Sequence, residues 1–161
     1  MAVQTVFKRY ELKYLMTREQ QKLLLKIMDG HMALDKYGHT TIRNIYFDTD
    51  NYRLVRHSIE GPPYKEKLRI RSYSHVSGND NVFVELKKKY KSVVYKRRLV
   101  LPLNETMEAL TMHRPLPSSS QISDEINYFL QLLQDIKTGS VPKLRARGIL
   151  LNGRQRFPRN L

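Results

Sequence analysis

Cysteine is absent from this chain of 161 residues, which excludes a disulfide framework and any thiolate chemistry. No apolar run approaches the length of a membrane span. The first apolar stretches are broken by Lys8, Arg9, Glu11 and Lys13, a pattern foreign to signal peptides. The histidines His31, His39, His57, His75 and His113 are scattered, with no short metal-ligand spacing among them. Gly-x-x-x-x-Gly-Lys does not occur, so a P-loop is excluded. Acidic residues are scarce, and none follows Asp135. These absences leave one soluble domain of sufficient size for a real core, expected in the cytoplasm.

What is abundant is positive charge. The net charge of +14 favours an anionic partner, either nucleic acid or a phosphorylated small molecule. It falls in two regions. Seven Lys and Arg lie beyond Asp135, and eleven lie between Lys65 and Arg98 against Glu66, Asp80 and Glu85. In Lys65-Glu-Lys-Leu-Arg-Ile-Arg71, strand alternation sends Lys65, Lys67, Arg69 and Arg71 to one face and Leu68 and Ile70 to the other. Glu85 and Lys87 share a face opposite Val82, Val84 and Leu86, and Lys96 aligns with Arg98. A sheet with one apolar face and one face crowded with cations repels itself unless a polyanion sits there.

The remaining chain supplies elements that could surround such a sheet. Phe7–Met16 alternates as a strand, and Thr17 with Gln20 forms a capping box ahead of a stripe at Leu23, Leu24 and Ile27 that ends near Gly30. Thr40–Phe47 reads as a strand, and Asp48 or Asp50 as a cap for a short helix over Tyr52–Ile59, stopped by Gly61. Asn104 is placed to cap a helix through Met112. Ser123 is placed to cap a longer one over Asp124–Lys137, with Ile126, Phe129, Leu130, Leu133 and Ile136 on one side. The fold expected is α+β: an antiparallel barrel with a cationic lumen and helices outside.

Five segments carry a resemblance: Arg9-Tyr-Glu-Leu-Lys-Tyr14, Ile45-Tyr-Phe-Asp-Thr49, Lys67-Leu-Arg-Ile-Arg-Ser-Tyr73, Phe83-Val-Glu-Leu-Lys87 and Val94-Tyr-Lys-Arg-Arg98. In this order they resemble the VTC domain, the polyphosphate polymerase domain of the triphosphate tunnel metalloenzyme (CYTH-like) superfamily. The resemblance implies a tunnel of antiparallel strands that binds ATP or polyphosphate and transfers the ATP γ-phosphoryl group to a growing polyphosphate chain. It implies Lys13, Arg69, Arg71, Lys87, Lys96 and Arg98 as triphosphate ligands, with Arg69, Arg71, Lys87 and Lys96 acting in catalysis. It also implies Mn²⁺ or Mg²⁺ as cofactor. Glu11 and Glu85 share these faces, either as partners of the cations or as metal ligands. Lys88, Lys89, Lys91 and Arg97 are read as solvated surface, and Tyr46, Phe47 and Tyr95 as packing residues.

Two rival readings stand beside this one. A single-strand nucleic-acid binder interleaves aromatics on its cationic face, and here only Tyr73 and Phe83 qualify. A non-catalytic module for polyphosphate or an inositol phosphate would keep the cations without turnover.

The C-terminus departs from the family pattern, whose second half supplies further lumen strands. Residues 1–142 read as a partial tunnel domain and 143–161 as an aberrant basic tail with no credible period. Codons for Arg156–Leu161 read one base later can encode Asp-Phe-Arg-Val-Thr, and Leu144–Ile149 can likewise encode Tyr-Glu-Arg-Glu-Ala. Both look like strands of the family, so a shifted frame is expected there. The chain as it stands is then expected to form an open, curved half-barrel, with 144–161 weakly structured and catalysis absent or very low.

Overall fold

A computed structural model describes residues 3–11, 14–33, 39–112, 114–135 and 145–155, the last segment and positions 39, 40, 134 and 135 by backbone alone. Among the described residues six strands form one antiparallel sheet: β1 (Val6–Tyr10), β2 (His39–Asp48), β3 (Tyr64–Ser72), β4 (Asn81–Tyr90), β5 (Val93–Pro102) and β6 (Arg145–Gln155). Their order is β1-β5-β4-β3-β2-β6, so β1 and β6 are edges and the sheet is open rather than closed. Closure needs the two edges to pair, and here they lie at opposite ends of the sheet.

The alternation read from sequence sets the two faces. Leu68, Ile70, Val82, Val84, Leu86, Leu99 and Leu101 are buried together with Phe47. Helices α3 (Leu103–Thr111) and α4 (Gln121–Asp135) cover that face through Ala109, Leu110, Ile126, Phe129, Leu130 and Leu133. Helix α2 (Arg53–Glu60) begins where Asp48 accepts the backbone N–H groups of Leu54 at 2.9 Å and Val55 at 3.0 Å, a carboxylate satisfying otherwise orphaned donors. It stops at Gly61, whose φ of +76° is a left-handed conformation that costs glycine little.

Several local expectations shift. The first strand ends at Tyr10. Helix α1 (Arg18–Met28) has the expected Thr17–Gln20 capping box, yet Leu23 and Ile27 are 60% and 62% exposed, so its apolar stripe meets no core among the described residues. Asn104 sits inside the first turn of α3, with Pro102 at the cap position. The start of α4 is fixed by Ser120, whose hydroxyl accepts from the Ser123 N–H at 3.2 Å; Ser123 itself is buried and donates to the carbonyls of Ser118 and Ser120. The expectation of a weakly structured tail is corrected at 145–155. That segment pairs with β2 from His39↔Gln155 to Asp48↔Arg145, because a sheet edge offers backbone donors and acceptors to any extended chain.

Candidate phosphate-binding groove

The polar face of the sheet is a ladder of cross-strand rows, each formed by directly opposed residues. One row runs Tyr46–Arg69–Glu85–Arg98 through β2, β3, β4 and β5. The next runs Lys67–Lys87–Lys96–Phe7 through β3, β4, β5 and β1, and beyond it lies Lys65–Lys89–Val94–Arg9. On the other side of the Glu85 row stand Asn44, Arg71 and Phe83. Successive rows on one face are about 7 Å apart along the strands. Like charges opposite one another destabilise a sheet, and here Lys65 faces Lys89 while Lys87 faces both Lys67 and Lys96.

These rows line a groove of about 600 Å³, bounded by Arg9, Glu11, Tyr46, Lys65, Lys67, Arg69, Arg71, Lys87, Lys89 and Lys96, with Phe7, Ser58, Ser92 and Val94. Of the residues singled out from sequence, Arg69, Arg71, Lys87 and Lys96 reach this groove together with Glu11. Arg98 and Glu85 lie beneath it, both buried. Lys13 lies outside the described residues.

Lys65, Lys67 and Lys89 belong to the groove as well, and Lys89 does so despite being read as solvated surface. The signal was available, since Lys89 has the same parity as Glu85 and Lys87. Phe7 and Tyr46 were also missed, because an aromatic at a strand position is more often packing than lumen. Lys88 and Arg97, of opposite parity, pair instead with Glu66 at 3.7 Å and Glu125 at 3.2 Å.

Glu85 organises the floor. It is fully buried on the central strand and accepts from Arg69 Nε at 2.8 Å, Arg98 Nε at 2.8 Å and Lys96 Nζ at 3.3 Å, with Arg71 Nε 3.7 Å away. The Nη2 atoms of Arg69 and Arg98 add contacts of 2.7 and 2.5 Å, so both guanidinium groups grip it with two nitrogens. Burial alone raises a carboxyl pKa, but the surrounding charges of Arg69, Arg71, Lys96 and Arg98 overcome it and hold Glu85 at about 2. Lys96 moves the other way. Burial, joined by the charge of Arg98, brings its ammonium down to about 8 despite the attraction of Glu85. Arg71 is also pushed down by burial and by neighbouring Arg69.

The aromatic rings on this face are covered by cations. Lys96 Nζ stands 3.6 Å from the Phe7 centroid, Arg98 lies 4.4 Å from that of Phe83, Arg69 approaches Tyr46 at 5.8 Å and Arg71 approaches Tyr73 at 5.9 Å.

A VTC domain model matches residues 8–147. The chain belongs to the VTC domain family. No curated protein matches this VTC domain. Among solved structures, a Bacillus halodurans protein provisionally named adenylate cyclase is similar, with a TM-score of 0.44 and 21% identity over 80% of this chain and 56% of that one. The VTC domain thus spans little more than half of that neighbour, and the likeness adds nothing to the functional argument.

The described side chains do not fit a dication. A hard divalent ion takes several oxygen ligands, and no group of three or more His, Asp or Glu occurs among the described residues. Both Glu85 oxygens hold cations, and Glu11 pairs with Lys87 at 2.9 Å and Arg9 at 3.6 Å. Nor, among the described residues, is any helix long and apolar enough to cross a membrane.

Proposed function

We propose that the groove binds the phosphate chains of ATP and inorganic polyphosphate, and that the reaction it serves is growth of polyphosphate by one phosphoryl group. The observation that carries this reading is the run of directly opposed lysines in the groove, whose mutual repulsion Glu11 and Glu85 offset in part and a bound polyanion would relieve further. In the reaction a terminal oxygen of polyphosphate attacks the γ-phosphorus of ATP. The bond from that phosphorus to the β–γ bridging oxygen breaks, and ADP leaves. The attacking oxygen is already anionic, so no general base is required. Charge stabilisation and alignment are what the protein must supply.

In this reading Arg71, Lys87 and Lys96 contact phosphate oxygens, and Lys65, Lys67 and Lys89 extend the same track. Arg69 and Arg98 contribute mainly through their field. The family relation suggests Mn²⁺ or Mg²⁺ as the ion; Glu11 and Glu85 are committed to cations and enter the proposal in that role alone. An open sheet grips the phosphate chain from one side, so this chain is expected to bind without appreciable turnover. Nucleic acid is the weaker reading, because base stacking needs free aromatic faces and Phe7, Tyr46, Tyr73 and Phe83 all face cations.

Calorimetric titration with tripolyphosphate, long polyphosphate and single-stranded DNA, at about 50 and about 200 mM salt, tests the reading. Both phosphate ligands should bind, weakening steeply with salt, and tightly enough to compete with DNA at equal phosphate concentration. DNA binding stronger than polyphosphate binding would overturn it.

A further inference from the structure

We propose that Glu85 is a positioning residue, a built-in counter-anion that keeps the forks of Arg69 and Arg98 and the ammonium of Lys96 fixed while phosphate occupies the groove above them. Three nitrogens of Arg69 already have partners: Nε and Nη2 on Glu85, and Nη1 on the Tyr46 hydroxyl at 3.0 Å. Arg98 likewise directs Nε and Nη2 to Glu85, and Nη2 also reaches the Tyr73 hydroxyl at 3.3 Å. Strand register locks this arrangement, since Arg69 and Arg98 stand directly opposite Glu85 on its two flanking strands. With Nε and Nη2 turned to Glu85, the side-on fork of each guanidinium is filled from within, which leaves a ligand at most the outer Nη hydrogens. The two arginines therefore act on a bound anion mainly through their field, while the closest contacts fall to Arg71 and the lysines.

Glu85 also acts on Lys96 when no ligand is bound. Lys96 is faced by Glu85 and Lys87 from β4, Arg98 from its own strand and the Phe7 ring from β1, with Tyr73 adding a weaker attraction. Among the described residues Glu85 is the carboxylate in contact with this ammonium, and its attraction opposes the burial that would otherwise strip the Lys96 proton. The part concerning bound phosphate rests on the function proposed above; this part does not.

Heteronuclear NMR of the 161-residue chain tests both parts. In the absence of ligand, Glu85→Gln should lower the titration midpoint of the Lys96 ammonium by about one pH unit or more; an unchanged midpoint would overturn the proposal. If Glu85→Gln does not fold, the wild-type chain decides. The Nε–H protons of Arg69 and Arg98 should exchange far more slowly than that of exposed Arg18, and equal rates would count against a fixed fork. When tripolyphosphate is added to wild type, the Arg69 and Arg98 Nε–H signals should stay while side-chain signals of Arg71 and Lys87 move. Large movement of the first pair would mean that phosphate displaces Glu85, and the proposal fails. No movement anywhere at millimolar tripolyphosphate would instead sink the phosphate reading, leaving the Lys96 titration to judge Glu85 on its own.

Discussion

Arg71→Ala separates the groove's function from its stability. Arg71 lines the groove as the last of the four cations along β3, where its Nε donates to Asn44 Oδ1 at 2.9 Å and lies 3.7 Å from Glu85. A charge-assisted contact to phosphate is worth roughly 1.5–3 kcal/mol, so its loss should weaken tripolyphosphate binding about ten- to a hundredfold. Stability should fall less. Asn44 is buried, its Nδ2 has no hydrogen-bond partner among the described residues, and the substitution strips its Oδ1 as well, a cost of about 1–3 kcal/mol. Against that, Arg69 loses a like-charged neighbour and Glu85 keeps three closer cations, so a net loss of about 1–2 kcal/mol is expected in urea denaturation. Arg97→Ala is the control. Arg97 lies on β5 between Lys96 and Arg98 but on the opposite face, and pairs with Glu125 at 3.2 Å, so its removal should cost under about 1 kcal/mol and leave binding unchanged. Calorimetric titration at low salt reads both variants. Binding by Arg71→Ala within threefold of wild type, or equal weakening in Arg97→Ala, would refute the assignment of faces.

Further expectations concern pH and packing. Glu85 has a folded pKa of about 2 against 4.5 for the free group, so its charge contributes about 3 kcal/mol that is fully present above pH 4.5 and lost as pH falls toward 2. The stability gap between wild type and Glu85→Gln should narrow by that amount between pH 6 and pH 2; a constant gap would contradict the network. For Lys96 the sign reverses. Its folded value of about 8 lies below the free value of 10.5, so the unfolded chain holds more protons between them and stability should rise with pH across that window, by up to about 3 kcal/mol. Lys96→Met should lack the rise, and an identical profile in both proteins would tell against the burial of this ammonium. Leu23→Ala and Ile27→Ala on α1 should change stability by less than about 0.5 kcal/mol, because both side chains are mostly exposed, whereas Leu110→Ala in the core should cost about 2–5 kcal/mol.

Period-2 patterning made the central strands legible. Leu68 and Ile70 against Arg69 and Arg71 are enough to orient β3, and the same parity carries through Glu85–Lys87 and Lys96–Arg98. Local chemistry was legible too, as the Thr17–Gln20 capping box and the Asp48 cap demonstrate. Parity alone says nothing about distance across strands. That Glu85 gathers four cations depends on the registers of β3 and β5, set by partners 16 and 13 positions away. Phe7 was hidden for the same reason, since its place beside Lys96 follows from β1 pairing with β5 across most of the domain. Sheet closure is a property of strand count and edge pairing that no local pattern encodes, and the open sheet was expected instead from the family strands that 143–161 fails to supply. The stripe of α1 was read correctly as a helix, but amphipathicity specifies a face and not its occupant.

Strand β6 shows the limit of patterning from the other side. Pairing at a sheet edge uses backbone groups that every residue but proline carries, so the antiparallel match of 145–155 to β2 requires no apolar alternation in that segment. We propose that 143–161 is encoded in a shifted frame, and the pairing is compatible with this: an extended segment at this place in the chain would meet the β2 edge whatever side chains it bore. The family match ends at residue 147, just inside the strand. The coding DNA from Pro142 onward decides the matter. Read one base later, it should give Tyr-Glu-Arg-Glu-Ala across 144–149 and Asp-Phe-Arg-Val-Thr across 156–161, continuing in that frame through further alternating cationic strands. A stop codon or a patternless sequence in the shifted frame would eliminate the proposal. If it holds, the restored chain should turn ATP over into polyphosphate, because the added strands would place a second cationic wall across the groove. Arg71→Ala in that restored protein should then lower turnover as well as binding.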